Sequence, residues 1–181
     1  MILIVDMSWK KDSLAYYEFV LPIVSAVDPL ERCEVKHYLE VNPDSLEGYS
    51  KIILSGTALK DNAALSQPEK FQWLKTAEKP VLGICAGMET LGTVFGAHLS
   101  QSLEIGMTQI TTEKTNLMFS GDFKAYSLHG VCIEPSDVFE VWAKSAKCIQ
   151  AIKHKTKPIY GVLFHPEVRN QEILKRFIFN L

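Results

Sequence analysis

Three short apolar runs, each ending where a turn begins, constrain this chain more than any other feature. They are Ile2–Asp6 (ILIVD), Lys51–Leu54 (KIIL) and Pro80–Ile84 (PVLGI). An apolar run this short, without polar alternation, reads as a strand covered on both faces, as in parallel sheets. Stretches with apolar residues at helical spacing lie between them. Ser13–Val27 carries Leu14, Tyr17, Val20, Leu21 and Val24; Asp12 or Ser13 is placed to cap it, and Pro22 weakens its second half. Glu34–Tyr38 reads as a further strand. Pro68 opens a helix to about Ala77, and Ala86–Phe95 is helical until Gly96. This alternation predicts an α/β fold: a doubly wound, mostly parallel open sheet with flanking helices, flavodoxin-like in plan.

The character changes after Gly96. Met107–Thr112, Phe123–Ser127, Phe139–Lys144, Ile149–Lys153 and Ile159–Phe164 read as strands with short connections, some of them antiparallel. Gln171–Asn180 closes the chain as an amphipathic helix. No repeat, low-complexity tract or linker divides it, so residues 1–181 are expected to form a single domain.

Composition narrows the function classes. With 47% apolar residues the chain can bury a sizeable core, and a formal net charge of −2 argues against a nucleic-acid partner. The basic cluster Lys153–Lys157 (KHKTK) reads as a solvated loop between strands. No apolar run approaches the roughly 18 residues that span a bilayer, so no membrane partner is expected. The start, MILIVDMSWKK, has neither a basic n-region nor a cleavage site and reads as a first strand rather than a signal peptide. The cysteines Cys33, Cys85, Cys132 and Cys148 form no CxxC pair, no metal-ligand spacing and no disulfide framework. A reducing, cytoplasmic setting is therefore expected, with no metal and no cofactor. Cys33, Cys132 and Cys148 read as small buried hydrophobes.

Cys85 stands apart. It lies in Gly83–Ile84–Cys85–Ala86–Gly87, where an apolar run meets a helix, and G-x-C-x-G is the spacing of a nucleophile elbow with cysteine in place of serine. The turn is too sharp for bulky neighbours, which accounts for the glycines. It leaves Cys85 at a helix N-terminus, where the dipole favours thiolate over thiol. The Ala86 N–H can meet a developing oxyanion.

A second group lies near the C-terminus, in Gly161–Val162–Leu163–Phe164–His165–Pro166–Glu167. In extended backbone, residues two apart share a side, so His165 and Glu167 can face one site. A histidine beside a cysteine can take the thiol proton and later protonate a leaving amine. A carboxylate next to it holds the imidazole in the useful tautomer. The cysteine elbow and the His–Glu pair both fall at carboxyl ends of strands, where open α/β sheets carry their sites.

Taken together, GICAGME and YGVLFHPEV resemble the signature of the class I (triad) glutamine amidotransferases, and ILIVD, IILSG, LHG and FHPEV occur in that family's order. The chain is most similar to the separate amidotransferase subunit of archaeal GMP synthetases. The resemblance implies that Cys85 is the nucleophile, His165 the base and acid, and Glu167 its orienting partner. It implies a glutaminase that forms a γ-glutamyl thioester from L-glutamine and supplies ammonia to a synthetase partner. The oxyanion hole it implies consists of the Ala86 N–H and a donor from the loop Ser55–Gly56–Thr57–Ala58, hence Gly56 and Thr57. It implies substrate contacts from Leu128, Gly130 and Val131 in the segment Leu128–His129–Gly130–Val131.

Two departures from the pattern stand out. The family's loop is usually SGGP, so Thr57 replaces its second glycine and the proline is absent. The family commonly has glutamine four residues after the nucleophile, where this chain has Glu89, and an ionised carboxylate accepts hydrogen bonds but donates none. Glutamate at this place is reminiscent of the γ-glutamyl hydrolases, which share the fold. Three functions therefore stay open: an ammonia-donating glutaminase, a free-standing γ-glutamyl hydrolase, and a non-catalytic binding or regulatory module. The chain holds no GxxxxGK-like loop for an acceptor reaction, which favours the first.

Overall fold

The computed structural model describes all residues from Met1 to Leu181. Nine strands form one sheet: β1 (Ile2–Asp6), β2 (Cys33–His37), β3 (Lys51–Leu54), β4 (Val81–Ile84), β5 (His98–Thr112), β6 (Phe123–Glu134), β7 (Phe139–Lys144), β8 (Ile149–His154) and β9 (Ile159–Val162). Their spatial order is β2-β1-β3-β4-β9-β8-β7-β5-β6. From β2 to β9 every pairing is parallel. From β9 to β6 every pairing is antiparallel. The switch falls at β9, which pairs with β4 on one side and β8 on the other.

The apolar runs behave as their composition requires. Every residue of β1, β4 and β9 is buried, and two large apolar clusters account for this. One gathers Ile4, Ile53, Leu82, Val162 and Phe164 with α1 (Leu21–Val27) and α3 (Glu172–Asn180). The other gathers Leu3, Val5, Leu54 and Val81 with Leu91 and Val94 of α2 (Ala86–Val94) and with Phe71, Trp73 and Leu74. Helix α3 contributes Ile173, Leu174, Phe177 and Ile178, one stripe at helical spacing.

Several expected elements differ in kind or length. The segment expected as one helix over Ser13–Val27 contains a π-helical turn at Tyr16–Val20 before α1. Pro22 lacks an N–H and crowds the carbonyl of Glu18, and the chain relieves this just ahead of it; the Leu21 N–H reaches back to Tyr16 O. Neither Asp12 nor Ser13 gives this helix a side-chain cap. Pro68–Lys75 is a 3-10 helix rather than an α-helix. Residues three apart eclipse in that geometry, so Phe71 and Leu74 share the buried side. Strands β5 and β6 extend well beyond the expected Met107–Thr112 and Phe123–Ser127, because they pair with each other from His98–Glu134 to Ile110–Phe123 across a bulge between Gln101 and Glu104. Lys153–Lys157 spans the end of β8 and the turn into β9, with Lys153 Nζ donating to Lys157 O at 2.7 Å.

One expectation is overturned. Cys132 and Cys148 are not separate buried hydrophobes: they form a disulfide with Cα atoms 5.3 Å apart. Cys132 lies on β6 and Cys148 just ahead of β8, and only the folded sheet brings them together. Cys33 and Cys85 are free.

Candidate active site

Cys85 adopts φ 48°, ψ −109°, a left-handed backbone conformation that side chains seldom take. The sequence around it makes that turn possible. A Cβ added at Gly83 would lie 2.6 Å from the Gly87 carbonyl carbon, and one added at Gly87 would lie 2.5 Å from the Leu54 carbonyl oxygen. Strand, elbow and helix are thus in backbone contact at the two glycines. The Cys85 N–H donates to Val162 O at 2.8 Å, continuing the β4–β9 ladder one residue past its end.

The same ladder brings the histidine to the cysteine. Ile84 is level with Val162, so Cys85 and the segment after β9 leave the sheet side by side. The chain then departs from β4 and crosses toward β6, where the His165 N–H donates to Tyr126 O at 2.8 Å. β9 ends at Val162 rather than at the expected Phe164, and His165–Pro166–Glu167 runs through a turn, not extended backbone. The two side chains meet all the same: His165 Nδ1 is 2.6 Å from Glu167 Oε1, and both are buried. The pairing expected from strand alternation is therefore made, but by a turn. Pro166 cannot donate to a ladder, and the Val168 N–H closes the turn on His165 O at 3.3 Å.

Gly56 fits between the two reactive side chains. A Cβ there would fall 2.6 Å from His165 Cε1 and 3.5 Å from Cys85 Cβ. Its loop leaves β3, which is level with β4 at Leu54–Gly83. The Ser55 hydroxyl accepts from the Met7 N–H at 3.1 Å and donates to Gly56 O at 2.9 Å. In a trans peptide the N–H points opposite to the C=O, so this bond turns the Thr57 N–H away from Ser55. The Thr57 side chain does not float in the pocket; its hydroxyl donates to Asp61 O at 3.1 Å and ties down the loop that has no proline.

Cys85, Ala86, Thr57, Glu89, Leu128, Gly130 and Val131 all line one cavity of about 100 Å³. Every expected oxyanion and substrate residue except Gly56 is therefore on its wall, and Gly56 lies directly behind. His165 and Glu167 are not on the wall; they sit beneath it, 1% and 2% exposed. Cys85 Sγ lies 3.5 Å from Leu128 O, which ties the elbow to β6. Sequence reasoning missed Leu59, Asp61, Asn62 and Gln101, which also line the cavity, as does His129 of the expected segment Leu128–His129–Gly130–Val131. The polar pair Asp61–Asn62 carried a turn signal. Gln101 carried none; it sits on β5 beside the irregularity between Gln101 and Glu104.

Electrostatics sharpen the roles. Burial pushes the Cys85 thiol above its ordinary value; His165 pulls it down, while Glu89 and Glu167 add to the rise. Burial works to lower His165, yet Cys85 and Glu167 outweigh it and hold the imidazole well above its usual range. A charged imidazole beside the sulfur favours the thiolate there. Burial raises Glu89 to about 7, opposed only in part by His165. Near neutrality Glu89 is then divided between an ionised form and a neutral acid with an O–H to donate, as an amide donates.

Comparison with known proteins bears on the family and the fold. A family model described as glutamine amidotransferase class-I matches residues 17–181. The separate glutamine-hydrolysing GMP synthase subunit of Methanocaldococcus jannaschii is 38% identical over 112 residues, 56% of this chain and 60% of that protein. Its counterpart from Methanococcus maripaludis strain C5 is 42% identical over 113 residues, covering 56% and 59%. The matched segment thus spans about 60% of the length of these relatives. The chain resembles in fold a crystal structure from Thermoplasma acidophilum, described as that of a GMP synthase subunit by assignment. The TM-score is 0.81 at 24% identity, covering 98% of this chain and 92% of that one. A glutamine amidotransferase from Thermotoga maritima superposes with TM-score 0.71 at 19% identity, covering 98% and 80%.

Proposed function

The chain belongs to the class I glutamine amidotransferase family, and we propose that it hydrolyses the side-chain amide of L-glutamine through a γ-glutamyl thioester on Cys85 and passes the ammonia to a synthetase partner. The observation that carries this is the strained Cys85 elbow at the cavity wall with the buried His165–Glu167 pair behind it.

The chemistry follows from these groups. The Cys85 sulfur attacks the amide carbon, and the oxygen turns into an oxyanion facing the Ala86 N–H and the Gly56–Thr57 loop. His165 gives the thiol proton to the leaving nitrogen, so ammonia departs and the thioester remains. It then takes a proton from water, whose hydroxide displaces the sulfur to give glutamate. Glu167 keeps Nδ1 engaged, so that Nε2 is the nitrogen that moves protons. Nε2 is buried and has no hydrogen-bond partner within the fold.

The relatives support a GMP synthetase as the partner. Both methanogen proteins are named as glutamine-hydrolysing subunits of GMP synthase. The Listeria monocytogenes protein named GMP synthase is a longer chain, of which the match covers 22% at 38% identity. A second reading, a free-standing γ-glutamyl hydrolase, is favoured by Glu89 on the cavity wall.

Steady-state kinetics on glutamine and on a γ-glutamyl peptide separate the two readings. Ammonia release from glutamine that is lost in a folded Cys85→Ala variant supports the glutaminase. Clear preference for the peptide, with glutamine turnover unchanged in Glu89→Gln, establishes the hydrolase instead. Ammonia release at the native rate by folded Cys85→Ala rejects both.

A further inference from the structure

Outside the cysteine elbow, the sheet buries a second cluster of reactive side chains. Glu104 and His129 face each other across the β5–β6 pair, and Cys148 approaches them from the start of β8. One donor atom from each lies within 4.8 Å of the other two, and all three residues are buried. Cys132 is bonded to Cys148 through sulfur, so a second sulfur lies one bond away from this cluster, though outside the three atoms that sit within 4.8 Å of one another. We propose that, with this disulfide reduced, Cys132, Cys148, His129 and Glu104 bind one divalent transition-metal ion of the zinc class.

The donor chemistry favours zinc over harder ions. Two thiolates, an imidazole and a carboxylate suit a tetrahedral zinc site, whereas calcium and magnesium take oxygen ligands. The distances are compatible. His129 Nε2 lies 3.2 Å from Glu104 Oε2, close to the about 3.3 Å edge that two bonds of about 2.0 Å subtend at a tetrahedral centre. Sulfur-to-nitrogen and sulfur-to-oxygen edges would be about 3.5 Å, so Glu104, His129 and Cys148 must draw in by about 1 Å from their separation of up to 4.8 Å, and the Cys132 sulfur must turn toward them once the disulfide is broken.

The surroundings resemble an outer shell around such a centre. Gln150 Nε2 donates to Glu104 Oε2 at 2.7 Å, and the Ser145 hydroxyl donates to the same oxygen at 3.0 Å. Groups of this kind orient metal ligands. Two buried polar atoms of the cluster, His129 Nδ1 and Gln150 Oε1, have no hydrogen-bond partner.

The chemistry balances in two steps. A thiol reductant transfers two electrons and two protons to the disulfide, giving the Cys132 and Cys148 thiols and an oxidised reductant. The metal then replaces both thiol protons, releasing two protons for two metal–sulfur bonds. A disulfide oxidant runs this in reverse: it takes up two electrons and, from solvent, two protons to give two thiols, while the Cys132–Cys148 bond re-forms and the ion is expelled. Leu128, whose carbonyl faces Cys85 Sγ, precedes His129 on the same strand, so the metal would brace that wall of the cavity.

The test is metal titration of the whole chain after reduction and chelation under nitrogen, with Zn²⁺ and with Co²⁺, whose thiolate complexes absorb in the near ultraviolet. The expected result is one equivalent bound, with thiolate-to-cobalt absorption, in the reduced protein and none in the oxidised protein. Cys148→Ser and Glu104→Gln should weaken binding at least tenfold, while Cys33→Ser and Cys85→Ala bind as the parent does. The oxidised parent keeps the sequence intact, so its result stands even if a variant fails to fold. Absence of stoichiometric binding by the reduced chain overturns the proposal. So do equal binding by the oxidised chain and loss of binding in Cys85→Ala, which would move the ion to the elbow.

Discussion

His165 Nδ1 lies 2.6 Å from Glu167 Oε1, with both side chains buried and the opposite ring nitrogen without a partner. A pair held this tightly leaves one nitrogen free to exchange protons with Cys85. If these groups act as a unit, their losses do not add. His165→Ala and Cys85→Ala should each lower glutamine hydrolysis by on the order of 10³-fold or more, with Glu167→Ala milder. The double variant Cys85→Ala with His165→Ala should be little worse than either single one. Rates of ammonia release, with circular dichroism to confirm folding, decide it; effects that multiply would assign the two residues to separate steps.

Selective labelling offers a second test. An electrophilic glutamine analogue should add its mass to the peptide containing Cys85. Cys33 is the other free thiol, but burial and the neighbouring Asp28 push it up to about 11, leaving it almost wholly protonated near neutrality. Labelling at Cys33 in place of Cys85 would contradict the assignment.

Glu89 gives a pH signature. Its carboxyl is raised to about 7 by burial, and its ionised form in turn raises the Cys85 thiol. Below about pH 7 the side chain is neutral and should act much as glutamine does. Above it, the negative charge opposes the thiolate. The turnover ratio of Glu89→Gln to parent on glutamine should therefore be flat at low pH and rise as pH passes through 7. Rate–pH profiles of both proteins measure this, and a ratio independent of pH from 5.5 to 8.5 would remove Glu89 from the reacting charges.

The same shift predicts a stability change of known sign. The folded-state value lies above the ordinary 4.5, so the fold binds a proton that the unfolded chain has lost. Stability then falls as pH rises from about 4.5 to about 7 and levels off above that window. Relative to Glu89→Gln, the parent should lose on the order of 3 kcal/mol across it. Denaturant unfolding of both proteins at pH 4.5, 6 and 8 reads the difference; a parent that gains on the variant as pH rises would invert the sign and refute it.

Gly87→Ala tests the elbow sterically. The new Cβ would lie 2.5 Å from the Leu54 carbonyl oxygen, a backbone atom that cannot swing aside. Overpacking of this kind costs about 1–3 kcal/mol, and relief by moving α2 would displace both Cys85 and the Ala86 N–H. A lowered melting temperature and lost activity are expected together. A variant with native stability and native turnover would mean that the elbow tolerates a side chain there.

What the sequence by itself determined rests on local rules. Short continuous apolar runs bounded by turns suit strands buried on both faces, so ILIVD, KIIL and PVLGI specified three of the five strands in the parallel half of the sheet. Glycines flanking Cys85 admit the strained turn, which made the nucleophile candidate legible, and the two-residue spacing of His165 and Glu167 kept them within mutual reach in either backbone. What only the tertiary structure decided depends on contacts between distant segments. The length of β5 and β6 arises from their mutual pairing, which weak local patterning did not announce. Gln101 reaches the cavity wall through the pairing of β5 with β6, where it is level with Val131. Cys132 and Cys148, 16 residues apart with no motif between them, meet beside Glu104 and His129 because β5, β6 and β8 converge there. The ionisation of Glu89 likewise follows from burial, and burial is a property of the whole fold.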